Sequence, residues 1–124
     1  MSTLKDIAGS IDPRYGTGVT KVWYMKASFF RDGNMGHEWL EEQGLVPTLA
    51  TLEQTHTLVG TLDIDNPEEA WQMMQGEFWS PRGEANSFIR ELGLRHTSMS
   101  VGDIVQKDDT LFLVDGIGFK KLGS

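Results

Sequence analysis

Aromatic and β-branched residues crowd Lys21 to Phe30 (KVWYMKASFF), and Asp32-Gly33-Asn34 follows as a turn cluster. A run of that composition closed by turn residues predicts a well-buried strand. Asn34 then stands as the cap of a short helix over Met35–Gln43, with Trp39 and Leu40 on its apolar side and Gly44 as its stop. Residues 44–54 (GLVPTLATLEQ) are apolar with no period that assigns them, which leaves a short helix or a lid open. Thr55 to Asp63 alternates and is rich in threonine, a strand pattern. It sets His56, Leu58, Gly60 and Leu62 on one face and Thr55, Thr57, Val59 and Thr61 on the other. Gly60 inside that strand predicts a bulge or a close packing partner.

The sharpest boundary is Asn66-Pro67-Glu68-Glu69, a capping residue, a proline for the first helical position and an acid three residues after the cap. A helix over 67–78 follows, with Ala70, Trp71, Met74 and Phe78 as its apolar stripe. Met73 lies off that stripe, as part of an adaptable protein-binding face. Ser80-Pro81 breaks the helix. A second one carries Ala85, Phe88, Ile89 and Leu92 on one side, with Gly93 as its C-terminal cap. Asp103–Lys107 and Thr110–Asp115 read as a hairpin around Asp108-Asp109, which sets Val105 opposite Phe112 and Ile104 opposite Leu113. Residues 117–122 form a last strand or an extended tail. Glycine and proline punctuate residues 1–19, a flexible N-terminal arm before one domain over 20–124. The order of elements predicts an α+β fold. Its small antiparallel or mixed sheet carries two to three helices packed on one face, a partly closed barrel being the alternative.

Composition narrows the chemistry. The chain has 124 residues, 39% of them hydrophobic and 23% charged, enough to bury a core without cross-links. There is no cysteine, which removes disulfides, thiolate metal sites and a cysteine nucleophile together. The N-terminus has no apolar run of signal-peptide length and no stretch approaches the roughly 20 residues that span a bilayer, so a cytoplasmic location is expected. The net charge of −7 disfavours direct phosphate binding and suits a basic protein partner, for example a nucleic-acid-handling enzyme. The acidic pairs Glu41-Glu42, Glu68-Glu69 and Asp108-Asp109 read first as solvated surface charge.

Two stretches hold candidate functional residues. His96-Thr97-Ser98-Met99-Ser100-Val101-Gly102-Asp103 gathers a histidine, three hydroxyls and an acid, the residue types of a hydrolase that would use His96 with Ser98 or Ser100 and Asp103. No Gly-x-Ser-x-Gly elbow accompanies them. The plainer reading is a polar loop entering a strand, with Gly102 supplying the turn and Asp103 accepting backbone hydrogen bonds. Between the two helices, Trp79, Arg82 and Glu84 combine an aromatic with both charges, as binding hot spots do. Against that, Trp79 could plug the core while Arg82 pairs with Glu84 or Glu77. His37, His56 and His96 show no local metal-ligand spacing, and no metal or cofactor is expected.

The run HTSMSVGDIV, a short turn, LFLVD and the pair Gly118-Phe119 together resemble a C-terminal signature of small proteins from bacteriophages, plasmids and other mobile elements. It is similar to what YodL-type domains carry. The matching residues are Ser98, Ser100, Val101, Gly102, Asp103 and Ile104, then Val114, Asp115, Gly118 and Phe119. The first ninety residues add no second match. The resemblance implies a mobile-element setting and brings no activity with it. The leading expectation is an accessory protein that binds a protein partner through Trp79, Arg82, Glu84, His96, Ser98, Ser100 and Asp103. Inhibition of a host or defence enzyme is one form of that role. A hydrolase and a virion-associated, self-assembling protein are the alternatives.

Overall fold

In the computed structural model, which describes residues 2–122, the aromatic and β-branched run forms the second half of β1 (Tyr15–Met25). Successive side chains of a strand point to opposite faces. Here both faces are apolar, Val22 and Tyr24 entering one core cluster and Trp23 and Met25 another. A strand buried on both faces belongs inside a sheet, and β1 pairs with β2 (His56–Leu62) on one side and β3 (Ile104–Lys107) on the other. β4 (Thr110–Val114) and β5 (Phe119–Leu122) complete an antiparallel sheet of order β2-β1-β3-β4-β5, open rather than closed into a barrel. The β3–β4 hairpin has the expected register, Ile104 opposite Leu113 and Val105 opposite Phe112.

The α+β class and the antiparallel sheet therefore stand. The helices cover both faces instead of gathering on one, because β1 and the hairpin are apolar on both sides. With Val22 and Tyr24 pack α1 (Leu4–Ala8), α5 (Pro67–Met73), α6 (Gly76–Trp79) and α7 (Asn86–Glu91), through Leu4, Ala70, Trp79 and Phe88. With Trp23 and Met25 pack α2 (Ala27–Gly33), α3 (His37–Gln43) and α4 (Leu52–Thr55), through Phe29, Leu40 and Leu52. No helix among the described residues is long and apolar enough to cross a membrane.

Local chemistry accounts for the departures from expectation. The stretch expected as an arm holds α1, closed by a Thr3–Asp6 capping box, and the start of β1 at Tyr15; Leu4, Ala8 and Tyr15 are buried. β1 ends at Met25, not Phe30. The chain turns at Lys26, whose amide bonds Thr55 O, and Phe29 reaches the core from a helix. Asn34 closes α2 and does not cap α3, which starts after Gly36. Part of the unassigned 44–54 stretch becomes α4. Asn66 caps α5 by accepting from the Glu69 amide at 2.8 Å, but the helix stops at Met73, so the predicted 67–78 helix is two pieces. Met73 is buried and offers no exposed face, whereas Trp71 and Phe78, expected on the buried stripe, are 41% and 48% exposed.

On β2 the expected alternation fails at Gly60. Val22 and Trp23 of β1 face Gly60 and Leu58, skipping Val59, and beyond this bulge the inward positions change parity. Val59 and Leu62 are buried, as is His56, while Leu58, which precedes the bulge and sits opposite Trp23, is exposed. Gly60 also admits α1, since a Cβ there would lie 2.6 Å from Leu4 Cβ.

Candidate functional site

Asp103 is wholly buried at the entrance to β3, and its carboxylate is fully engaged. Oδ1 accepts from the Met25 amide at 2.8 Å. Oδ2 accepts from the Ser100 amide at 2.8 Å and lies 2.8 Å from His96 Nε2. Burial pushes the Asp103 carboxyl above the usual carboxylate range, while His96 and the Ser100 and Met25 amides pull it partly back. The His96 ring stacks on Tyr24, with centroids 4.7 Å apart, and meets the edge of Phe30 at 5.2 Å.

The hydrolase set is only half assembled. His96 and Asp103 meet, but Ser98 Oγ accepts from the Gly76 amide at 2.8 Å and Ser100 Oγ donates to Ser98 O at 3.1 Å. In an acid–histidine–nucleophile relay the second ring nitrogen faces the nucleophile. Here His96 Nδ1 has no hydrogen-bond partner among the described residues. The hydroxyls serve the backbone, as short polar side chains in loops do. Thr97 O accepts from Tyr24 Oη at 2.7 Å and from Trp79 Nε1 at 3.0 Å, and the Met99 amide donates to Met74 O at 3.1 Å. Residues 96–103 are thus a seam joining the end of β1 to α5 and α6.

His56 pins the same seam from the other side. Its Nε2 lies 2.7 Å from Gly102 O, and a carbonyl only accepts, so Nε2 carries the proton and Nδ1 accepts from Thr55 Oγ1 at 2.7 Å. Burial lowers the His56 pKa from 6.5 to about 4, with the Gly102 carbonyl opposing and His96 adding to the fall. The stability gained from neutral His56 is complete above pH 6.5 and is lost as the pH falls through about 4, because only the unfolded chain takes up the proton in between. That gap corresponds to about 3 kcal/mol. Asp103 works in the opposite sense: its raised carboxyl binds a proton more readily when folded, which offsets part of the loss in acid. The expected result is a urea midpoint that drops between pH 7 and pH 4, with the His56 ring titrating near the lower limit by NMR. A ring titrating near 6.5 with unchanged midpoints would overturn the assignment.

The linker candidates separate. Trp79 is fully buried and edge-on to Phe88 at 6.3 Å, so it serves the core and not a binding surface. Glu84 Oε1 accepts from the Arg82 amide at 2.6 Å, a local turn contact, and no ion pair joins the Arg82 guanidinium to Glu84 or Glu77 among the described residues.

Beside the seam lies an open cleft of about 720 Å³. One wall is the outer face of α5, where Glu68, Trp71 and Gln72 share a side by their three- and four-residue spacing. The β4–β5 turn forms the other wall with Asp115 and Phe119, and Met99 and Val101 of the seam line the cleft between them. Asp115 Oδ1 accepts from the Gly116 amide at 2.9 Å and the His37 amide at 3.3 Å, which fixes the carboxylate. No basic residue lines the cleft. Of the expected site residues only Ser100 reaches it. Helical period alone places Trp71 on the buried stripe of α5. Ala70, Met73 and Met74 already fill the inward face of that short helix, and this surplus is the signal that Trp71 points elsewhere.

Comparison of the chain with protein-family models, with curated proteins and with solved structures gives no match.

Proposed function

We propose that this chain is a small acidic accessory protein that acts by binding a basic partner protein in the cleft between α5 and the β4–β5 turn. The observation that carries the reading is Trp71, a large aromatic left 41% exposed in a cleft whose only charged groups are carboxylates. Tryptophan in a concave, partly desolvated setting is the side chain most enriched among binding hot spots. Gln72 also lines a neighbouring hollow, where the exposed Ile11 and Phe78 border Arg14, itself paired with Asp12 and Glu69. The C-terminal resemblance suggests a bacteriophage or other mobile-element setting. A nucleic-acid-handling host or defence enzyme, basic where it grips phosphate, presents the charge that this cleft complements.

The test is affinity capture from bacterial lysate at two salt concentrations, with the wild type, Trp71→Ser and Val19→Ser, whose side chain is 75% exposed and does not line the cleft. A discrete basic partner should be held by the wild type and Val19→Ser and weakened about thirtyfold by Trp71→Ser, the loss of a hot spot of roughly 2 kcal/mol. A partner retained equally by Trp71→Ser would remove the cleft from the interaction.

A further inference from the structure

Each wall of the cleft offers one aromatic ring and one carboxylate: Trp71 with Glu68 on α5, Phe119 with Asp115 on the opposite side. Neither carboxylate forms an ion pair among the described residues. No group of three side chains suited to a metal ion occurs among them either. The cleft therefore presents negative charge beside π-faces, without the ligand count of a divalent-cation site. That combination fits an organic cation, whose charge is met by carboxylates and ring faces while its flat or methylene surface is desolvated between them.

Resting on the binding reading above, we infer that the cleft is an arginine-recognition site, and that its occupant is the side chain of an arginine presented by the partner protein. A guanidinium is planar, stacks on indole and pairs with carboxylates through several fixed donors, whereas a lysine ammonium is a compact, strongly hydrated point charge. Asp115 suits the first, because its Oδ1 is held by two backbone amides and the carboxylate is oriented before the ligand arrives. The Trp71 indole, on the facing helix one turn after Glu68, supplies the stacking surface.

The experiment titrates the full chain with three capped tripeptides that differ only at the central residue: arginine, lysine and citrulline, the neutral shape-mimic of arginine. The Trp71 indole N–H is followed by NMR and identified by its absence in Trp71→Phe. The arginine peptide should bind on the order of millimolar, as expected of so small a ligand. Lysine should be weaker, and citrulline weaker by about tenfold or more. The double variant Glu68→Gln/Asp115→Asn keeps every acceptor oxygen needed by the backbone and should lose the arginine preference with its remaining spectrum unchanged. Equal binding of arginine and citrulline, or no shift of the Trp71 signal, overturns the proposal. A lysate partner lost by Trp71→Ser but retained by the double variant would overturn the arginine anchor alone and leave the protein-binding reading intact.

Discussion

Asp103→Ala is expected to lower the unfolding free energy by about 3–5 kcal/mol, a large share of the roughly 5–15 kcal/mol that a domain possesses. The carboxylate serves three donors: the Met25 amide, the Ser100 amide and His96 Nε2. Two of these are backbone groups that no compensating side-chain change removes, so alanine leaves them buried and unpaired. Release of the carboxylate's own desolvation penalty, visible in its raised pKa, returns part of the loss. Asp103→Asn makes the informative comparison. Its oxygen can still accept from Met25, and its amide can donate to His96 Nε2 if the ring moves its proton to Nδ1. Only the Ser100 amide is then orphaned, a cost of about 1–3 kcal/mol. Urea unfolding of the three proteins should rank them wild type, asparagine, alanine. An alanine variant within about 1 kcal/mol of the wild type would show that the seam is not held by this carboxylate.

What the sequence disclosed and what it hid divide by the range of the interactions involved. The Ile104–Leu113 and Val105–Phe112 pairs were legible because an adjacent turn sets the register and a one-residue slip would expose the apolar face. The Asn66 cap was legible because its hydrogen bond closes within four residues. The meeting of His96 with Asp103 was legible too, both lying in one short segment, and so was the plainer reading of Asp103 as an acceptor for backbone amides, but the choice between that role and catalysis was not. Ser98 and Ser100 look the same in sequence whether they attack a substrate or bond a neighbouring amide. The partner that makes Asp103 structural, Met25, lies 78 positions away. The end of β1 was hidden for a different reason. Only Lys26-Ala27-Ser28 separates Met25 from Phe29 and Phe30, too short an interruption to mark a strand end, and only the packing of α2 shows that Phe29 approaches the core from a helix.

The cleft was the least legible feature, because its walls come from α5 and the β4–β5 turn and no local period joins them. Its geometry nevertheless depends on the segment that the sequence singled out. Met99, Ser100 and Val101 line the cleft, and they are held where Asp103, His56 and Thr97 tie the seam to β1, β2 and α6. The chemistry-rich residues thus position a binding surface whose contacts are made by others.

Gly102→Ala tests that dependence most directly and is expected to cost about 3–5 kcal/mol, combining left-handed strain with overpacking. Gly102 has φ 99°, and a Cβ there would lie 2.6 Å from Gly33 O and against Met25 Sδ. The methionine can rotate, but the Gly33 carbonyl belongs to the end of α2 and has to move with its helix. Gly102 itself is tethered on both sides, its amide donating to Val114 O at 2.9 Å and its carbonyl accepting from His56 Nε2. Gly93→Ala separates the two contributions, because Gly93 also has positive φ (73°) yet a Cβ there meets nothing within 4 Å. That variant should lose only about 1 kcal/mol, the cost of the backbone conformation. The difference between the two urea midpoints measures the close packing of α2 on the seam. Because Val101 and Val114 flank Gly102 and both line the cleft, Gly102→Ala should also shift the Trp71 indole resonance, while Gly93→Ala should not. Equal losses in the two variants, with the Trp71 signal unmoved in both, would uncouple the seam from the cleft.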